Sequence, residues 1–230
     1  NGHEIIVQRE ACKAANFQDN DYSEAGAIIA NHAEDVYKAD IILKVAPPSL
    51  EEIEMMKHKQ TLISALQLTV QPKNYIQKLL SKKVSAIAWD YIVDDEKIFP
   101  VVRAMGEIAG NTAILIAAEH LTNVNKGQGL MLGGISGVAP TEVVILGAGT
   151  VVEYATRAAL GLGASVKLFD DSIYKLRRLQ NDIGMRLFTC TFQPKELLKA
   201  LKTADVVIGA IRAPHGRTPC IITEEMVNCM

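Results

Sequence analysis

The densest chemical signal in the chain is Gly147-Ala148-Gly149-Thr150, which directly follows the apolar run Glu142-Val143-Val144-Ile145-Leu146 and opens an amphipathic stretch. A strand that turns on two glycines into a helix presents free backbone N–H groups at the helix N-terminus, where a phosphate can bind. Gly147 permits the tight turn, and Gly149 has no side chain to hold off a pyrophosphate. Asp170 ends the next apolar run, 23 residues after Gly147. A carboxylate there accepts hydrogen bonds from an adenosine ribose and repels a 2′-phosphate, which selects NAD over NADP. A GxG alone is a weak signal, but strand, GxG, helix, strand and acid within one βαβ unit is a strong one. One position departs from the fingerprint. Its third glycine would fall at 152, where this chain has Val152. A valine there is expected to push the helix off the strand and to weaken or shift cofactor binding.

Other chemistry-bearing residues read as structural. Residues 126–140 hold Gly127, Gly129, Gly133, Gly134 and Gly137, but lack a Gly-Lys-Ser/Thr ending and a following helix, so a loop or hairpin outweighs a phosphate cradle. His58 and His120 fall in helical patterns, and His3 and His32 flank the first strand and helix. Packed or surface histidines are commoner in such places than catalysts. Cys12, Cys190, Cys220 and Cys229 form no CxxC pair. That excludes a zinc ribbon, argues against a disulfide scaffold, and leaves them as buried thiols without a basic partner. No metal site is expected.

These residues must be held by an alternating series of elements. The first hundred residues read as a strand at 4–8, an amphipathic helix at 21–39 capped by Asp19 or Asp21, and a strand at 40–45. A helix at 50–58 follows, capped by Ser49 with Glu51 and Glu52 in its first turn, then a strand at 61–66, a helix from Pro72 to Lys83, and a strand at 84–91. A long apolar helix spans 106–121. A second series has strands at 142–146, 165–169, 186–192 and 205–209, separated by helices at 150–162, 172–183 and 194–202; Lys175, Arg177 and Arg178 lie on the polar face of the second of these. Strands alternating with helices imply parallel sheets with helices on both faces. The expected fold is therefore α/β.

Composition narrows the function classes. The 230 residues allow one large or two small domains. Lys+Arg 24 against Asp+Glu 26 leaves a net charge of −2, so nucleic acid is not an expected partner. Hydrophobic residues at 49% exclude a disordered chain, and no run of about 18 apolar residues stands out, so membrane insertion is not expected. The first residues carry no Met and no signal-peptide pattern, and the last read as the inside of a helix; both ends look cut.

Along its whole length the chain resembles the alanine dehydrogenases and the related domain I of nicotinamide nucleotide transhydrogenase. The matching stretches include Asn1-Gly2-His3, Glu107-Ile108-Ala109-Gly110, residues 143–149, Gly161-Leu162-Gly163-Ala164, Phe169-Asp170, Lys175-Leu176-Arg177 and residues 204–210. The resemblance implies two Rossmann-like parallel-sheet domains with an interdomain cleft. Residues 1–104 would form a substrate domain lacking its N-terminal strand. Residues 105–230 would form a dinucleotide-binding Rossmann domain truncated at its C-terminus. It implies NAD as cofactor, held by Gly147, Gly149, Thr150, Asp170, Lys175, Ala210 and Ile211. Arg212 and His215 fall in the loop where the family contacts the nicotinamide ribose, and either could touch cofactor or substrate, but a solvated loop charge is the commoner case for such residues. It also implies a small amino or keto acid substrate, a cytoplasmic location and assembly into a homo-oligomer. The family reaction converts alanine, NAD and water to pyruvate, ammonium and NADH. It uses a Lys to polarise the substrate oxygen and a His as general acid and base.

The carry-over departs from the family at that chemistry. The family pattern Lys-Val-Lys-x-Pro reads Lys44-Val45-Ala46-Pro47-Pro48 here, so Ala46 replaces the catalytic Lys, and Lys44 is the candidate substitute. The family Leu-His-Leu reads Leu66-Gln67-Leu68, and an amide cannot exchange a proton near neutral pH. A family Ser near the cofactor is Gly106 here. The resemblance puts a carboxylate-binding Arg before Asn1 and an active-site Asp after Met230. Two further readings stay open: a non-catalytic NAD(H)-binding protein, and a hydride-transfer component like transhydrogenase domain I.

Overall fold

The computed structural model describes residues 2–95, 98–211 and 218–230. It divides between Phe99 and Pro100 into two compact units. The division falls where a long helix begins, and the expected junction at 104/105 lies inside that helix.

In the first unit, β1 (Ile6–Gln8) pairs in parallel with β2 (Ile28–Ala30). A separate parallel sheet runs in the order β3 (Ile41–Leu43), β4 (Thr61–Ser64), β5 (Ser85–Ala88). The helices are α1 (Asp19–Glu24), α2 (Ala33–Val36), α3 (Leu50–Met55) and α4 (Lys73–Ser81). The single helix expected over 21–39 is not formed. Gly26 adopts φ +94 and ends α1, and the β-branched pair Ile28-Ile29 that follows is drawn into pairing with β1. Gln18, rather than Asp19 or Asp21, caps α1; the Asp21 carboxylate accepts from the Gln18 N–H at 2.7 Å. At α3 the expected cap forms in full. Ser49 Oγ accepts from the Glu52 N–H at 3.1 Å, and the Glu52 carboxylate accepts from the Ser49 N–H at 2.6 Å. Ile42, Ile53, Leu62 and Tyr75 form the centre of this unit's core.

In the second unit, four parallel strands lie in the order β8 (Phe188–Cys190), β7 (Ser165–Phe169), β6 (Glu142–Leu146), β9 (Val206–Gly209). The bounds of β6 and β7 are those expected. The connecting helices are α6 (Thr150–Gly161), α7 (Ile173–Ile183) and α8 (Pro194–Leu201), with α9 (Glu224–Val227) near the chain end. Alternating residues of β6 serve the two faces. Val143 and Ile145 pack with Ala155 and Ala159 of α6 and Leu176 of α7. Val144 and Leu146 pack with Leu197 and Leu201 of α8. A strand buried on both faces must be apolar throughout, which is why 143–146 reads as a continuous run. Because β7 and β9 flank β6 on opposite sides, the connections diverge there, and a ligand crevice is expected at the carboxyl end of β6.

The helix α5 (Pro100–Leu121) starts six residues earlier than expected, with Pro100 in its first turn, where its fixed φ is suited. Although no such run stood out in the sequence, α5 is by length and composition alone apolar enough to cross a membrane, a test that a core helix of a soluble protein also passes. It lies instead along α6. A Cβ on Gly110 would sit 2.8 Å from the Ala155 backbone nitrogen and closer still to the Val151 carbonyl oxygen, so only a glycine lets the two helices touch there. Ile114 of α5 is fully buried in the same core as α6. Residues 126–140 form a loop with one antiparallel bridge, Ile135 to Val138, anchored by buried Leu132.

Candidate dinucleotide site and the edge of the first sheet

At the carboxyl edge of the second sheet, Gly147 adopts φ +114, a conformation outside the reach of ordinary side-chain-bearing residues. A Cβ there would also stand 2.6 Å from the Ala210 carbonyl oxygen. The turn is pinned on both sides: Gly147 N–H donates to Phe169 at 2.7 Å, and Ala210 N–H donates to Leu146 at 2.9 Å. Gly149 is different. It is exposed, and a Cβ built on it would meet nothing within 4 Å. Gly149 is the N-cap of α6, no cap side chain accepts from the first N–H groups of the helix among the described residues, and the space over Gly149 itself is open. That open cradle fits a pyrophosphate.

Around it, the expected residues fall as follows. Thr150 is the first residue of α6, and its side chain lies 3.5 Å from where a Cβ on Gly106 would be, so position 106 has room for a small side chain. Asp170 follows β7, half-buried, with one carboxylate oxygen accepting from the Ser172 N–H at 2.8 Å. Lys175 is exposed on the first turn of α7, which Ser172 caps. Ala210 and Ile211 follow β9 beside the turn and pack against the two faces of the core. Gly147, Asp170 and Ala210 are thus brought to one sheet edge. Arg212 and His215 lie outside the described residues. Val152 is fully buried in the core shared by α6 and β6, with its Cγ2 3.3 Å from the Cβ position of Gly147. Small Ala155 and Ala159 allow the close approach further along the helix. Arg178 was not among the expected contacts. Its guanidinium reaches 30 residues back in sequence to the Ala148 carbonyl at 3.5 Å.

The carboxyl edge of the first sheet carries less ionisable chemistry. Ala46 is exposed after β3, and its carbonyl accepts from Ser64 Oγ at 2.8 Å. Gln67 is exposed after β4 at φ +47. Lys44 is not a free amine: its Nζ lies 2.6 Å from Glu52 Oε1, with side chains 30% and 24% exposed. Burial pushes the Glu52 carboxyl up, but hydrogen bonds from Lys44 and the Ser49 N–H, the Lys44 charge and the Tyr37 hydroxyl outweigh it, leaving a net downward shift. Burial, then the Glu52 charge, pushes the Tyr37 and Tyr75 phenols up, and the buried Tyr75 hydroxyl has no hydrogen-bond partner among the described residues. Asp90, after β5, accepts from the Leu66 N–H at 3.3 Å. The described histidines are all exposed. The cysteines are not the buried thiols expected; Cys220 and Cys229 are exposed and Cys12 and Cys190 half-buried. No group of three acidic, His or Cys side chains able to hold a metal occurs among the described residues.

Comparison with known proteins decides the family. Residues 1–109 match the model of the alanine dehydrogenase/PNT N-terminal domain, and residues 113–230 match that of the C-terminal domain. The chain belongs to the alanine dehydrogenase/PNT family. This is a family of NAD-dependent oxidoreductases. An alanine dehydrogenase of Mycolicibacterium smegmatis is 38% identical over 230 residues, covering 100% of this chain and 62% of the relative. One from Methanococcus maripaludis is 34% identical over 230 residues, covering 100% and 61%. Among solved structures, an L-alanine dehydrogenase superposes with TM-score 0.91 at 32% identity, covering 100% of this chain and 63% of that one. A transhydrogenase from Sinorhizobium meliloti gives TM-score 0.82 at 22% identity, covering 100% and 67%, and supports the fold alone. The chain spans roughly 60% of the length of the curated relatives it matches.

Proposed function

We propose that the protein is an alanine dehydrogenase-like oxidoreductase that binds NAD(H) on its second unit. The observation that carries this reading is the open turn at Gly149, with Gly147 wedged against Ala210 and Asp170 at the end of the neighbouring strand. The amides of Gly149 and Thr150 would hold the pyrophosphate, Asp170 the adenosine ribose, and Lys175, Ala210 and Ile211 would border the rest. When bound, NAD supplies the hydride acceptor. Residues 1–104 would take a small amino or keto acid and residues 105–230 the cofactor. Cytoplasmic location and homo-oligomeric assembly follow from the resemblance to the family.

The acid–base step is where this chain departs. Ala46 and Gln67 offer no exchangeable proton, and the Lys44 amine is already committed to Glu52. A positioned acid or base contributes about 10²–10⁴-fold to a rate. Alanine oxidation and pyruvate amination are therefore expected to be slow. That observation also favours a second reading, in which the protein binds NAD(H) without its own deamination chemistry, or passes hydride as transhydrogenase domain I does. Titration with NADH and NADPH, followed by an assay with pyruvate, ammonium and NADH, separates the cases. NADH should bind more tightly than NADPH, and turnover should fall well below about 1 s⁻¹. Absence of NADH binding overturns the cofactor assignment; turnover at rates usual for enzymes overturns the disabling role of Ala46 and Gln67.

A further inference from the structure

The helix α7 carries three basic residues near the dinucleotide turn, and they differ in what they touch. Arg177 is exposed and has no polar partner among the described residues, and Lys175 is exposed on the first turn. Arg178 instead leans back across the surface, its Nη2 3.5 Å from the Ala148 carbonyl oxygen and its Nε 3.7 Å from Asp182. Ala148 is the middle residue of the turn and is itself buried. The Ala148 carbonyl belongs to the same trans peptide as the Gly149 nitrogen, so the guanidinium stands at the glycine turn, on the side of that peptide away from the Gly149 N–H, and acts on a bound anion through its charge and not by direct contact. At 3.5 Å the contact is long for a hydrogen bond, and its main consequence is to fix where a positive charge resides. Asp182 Oδ2 lies 3.7 Å from Nε with the two side chains 48% and 41% exposed, so this is a water-screened surface pair that offsets the charge only partly.

We propose that Arg178 is a further cofactor-affinity residue, the cation held at the glycine turn to offset the charge of a bound pyrophosphate. The inference rests on the NAD(H) reading of the second unit. It assigns to one arginine a role distinct from hydrogen bonding by the turn amides and from recognition of the ribose by Asp170. A pyrophosphate carries its negative charges wherever the adenosine lies, so the effect belongs to ligands with that group and not to adenosine itself. Between solvent-accessible charges the attraction is modest and weakens with salt.

The test compares the unaltered protein with Arg178→Gln, Arg178→Lys, Arg178→Ala and Arg177→Ala. Binding of NADH, NADPH, ADP-ribose and adenosine would be measured by calorimetry at low and high salt. Arg178→Gln should weaken NADH and ADP-ribose about three- to fivefold at low salt, with a smaller difference at high salt. Adenosine affinity should be unchanged. Arg178→Lys should keep most of the affinity, and Arg177→Ala should change it less than about twofold. Thermal melts identify any variant that fails to fold, and the Lys variant, which retains the charge, carries the test if the neutral ones do fail: a loss in Arg178→Lys that is independent of salt overturns the proposal. So does unchanged NADH binding in folded Arg178→Gln, an equal loss for adenosine, or a loss confined to NADPH. An unaltered protein that is folded but binds no NADH overturns the cofactor reading, and this inference with it, whereas NADH binding that ignores Arg178 overturns this inference alone.

Discussion

The two units end their parallel strands in edges of opposite character. On the second, the recognition features are backbone: a glycine that fits where no Cβ could, a glycine that leaves space open, and the first amides of α6. On the first, under the proposed reading, Ala46 and Gln67 stand where the family's chemistry would use two ionisable side chains. The Lys44 amine that remains there is neutralised by Glu52, whose other oxygen caps α3. A site built from backbone geometry is tied to the fold and cannot be removed without disturbing it. A site built from exposed side chains can be erased while the sheet beneath is untouched.

The largest effect that would break this comparison comes from Gly147→Ala. A side chain would be forced to φ +114 with its Cβ 2.6 Å from the Ala210 oxygen, and both neighbours of that turn are hydrogen-bonded to the adjacent strands. We expect a loss of about 3 kcal/mol or more in stability by denaturant unfolding, together with loss of NADH binding by titration. Full stability with intact NADH affinity would show that the turn is not fixed by the fold. Gly110→Ala probes the same dependence one layer away. Alanine normally favours a helix by about 1 kcal/mol over glycine. Here the added methyl meets backbone atoms of Val151 and Ala155 rather than a flexible side chain, so the sign reverses. A loss of about 2 kcal/mol is expected, with weaker NADH binding, because α5 braces the helix whose N-terminus faces the cradle.

In the first unit a substitution with a measurable cost must strike the Glu52 cluster and not the exposed edge. Glu52→Ala leaves the Lys44 amine, the Ser49 N–H and the Tyr37 hydroxyl without their acceptor, at a cost of about 1–2 kcal/mol. The cluster also sets a pH dependence. The folded-state pKa of Glu52 is depressed on balance, so its contribution is complete above the unfolded value and disappears as pH falls through the folded one. Between about pH 5 and 3 the unaltered protein should therefore lose more stability than Glu52→Gln in parallel melts. Equal slopes would remove Glu52 from the ion-pair role.

What the sequence disclosed follows the same division. In the second unit β6 and β7 are five residues long, feed the core on both faces of the sheet and are followed by regular helices, so their apolar runs mark them to the residue. In the first unit β2 is three residues long and only its last residue is buried, so its signal merged with the helical patterns around it. Gly26 and the Ile28-Ile29 pair were the marks that could have separated them. The placement of Gly147, Gly149 and Asp170 was legible because it depends only on local position after a strand. The Lys44–Glu52 pair and the reach of Arg178 to Ala148 span 8 and 30 residues. They depend on how side chains leave a folded surface, and no spacing rule announces that.

The smallest effect sharpens the comparison most. Ala46→Lys combined with Gln67→His restores the family's residue types at two exposed positions. Neither change meets the core. Histidine is among the residues that tolerate positive φ, so the +47 of Gln67 is no obstacle. Unfolding stability should move by no more than about 0.5 kcal/mol, and NADH affinity should not move at all, because the dinucleotide cradle belongs to the other unit. Any rise in pyruvate amination by such a variant would then report proton transfer alone, uncoupled from folding and cofactor binding. A large stability change would instead mean that Ala46 and Gln67 are part of what holds the first sheet edge together, and the division between a backbone-built and a side-chain-built edge would fail.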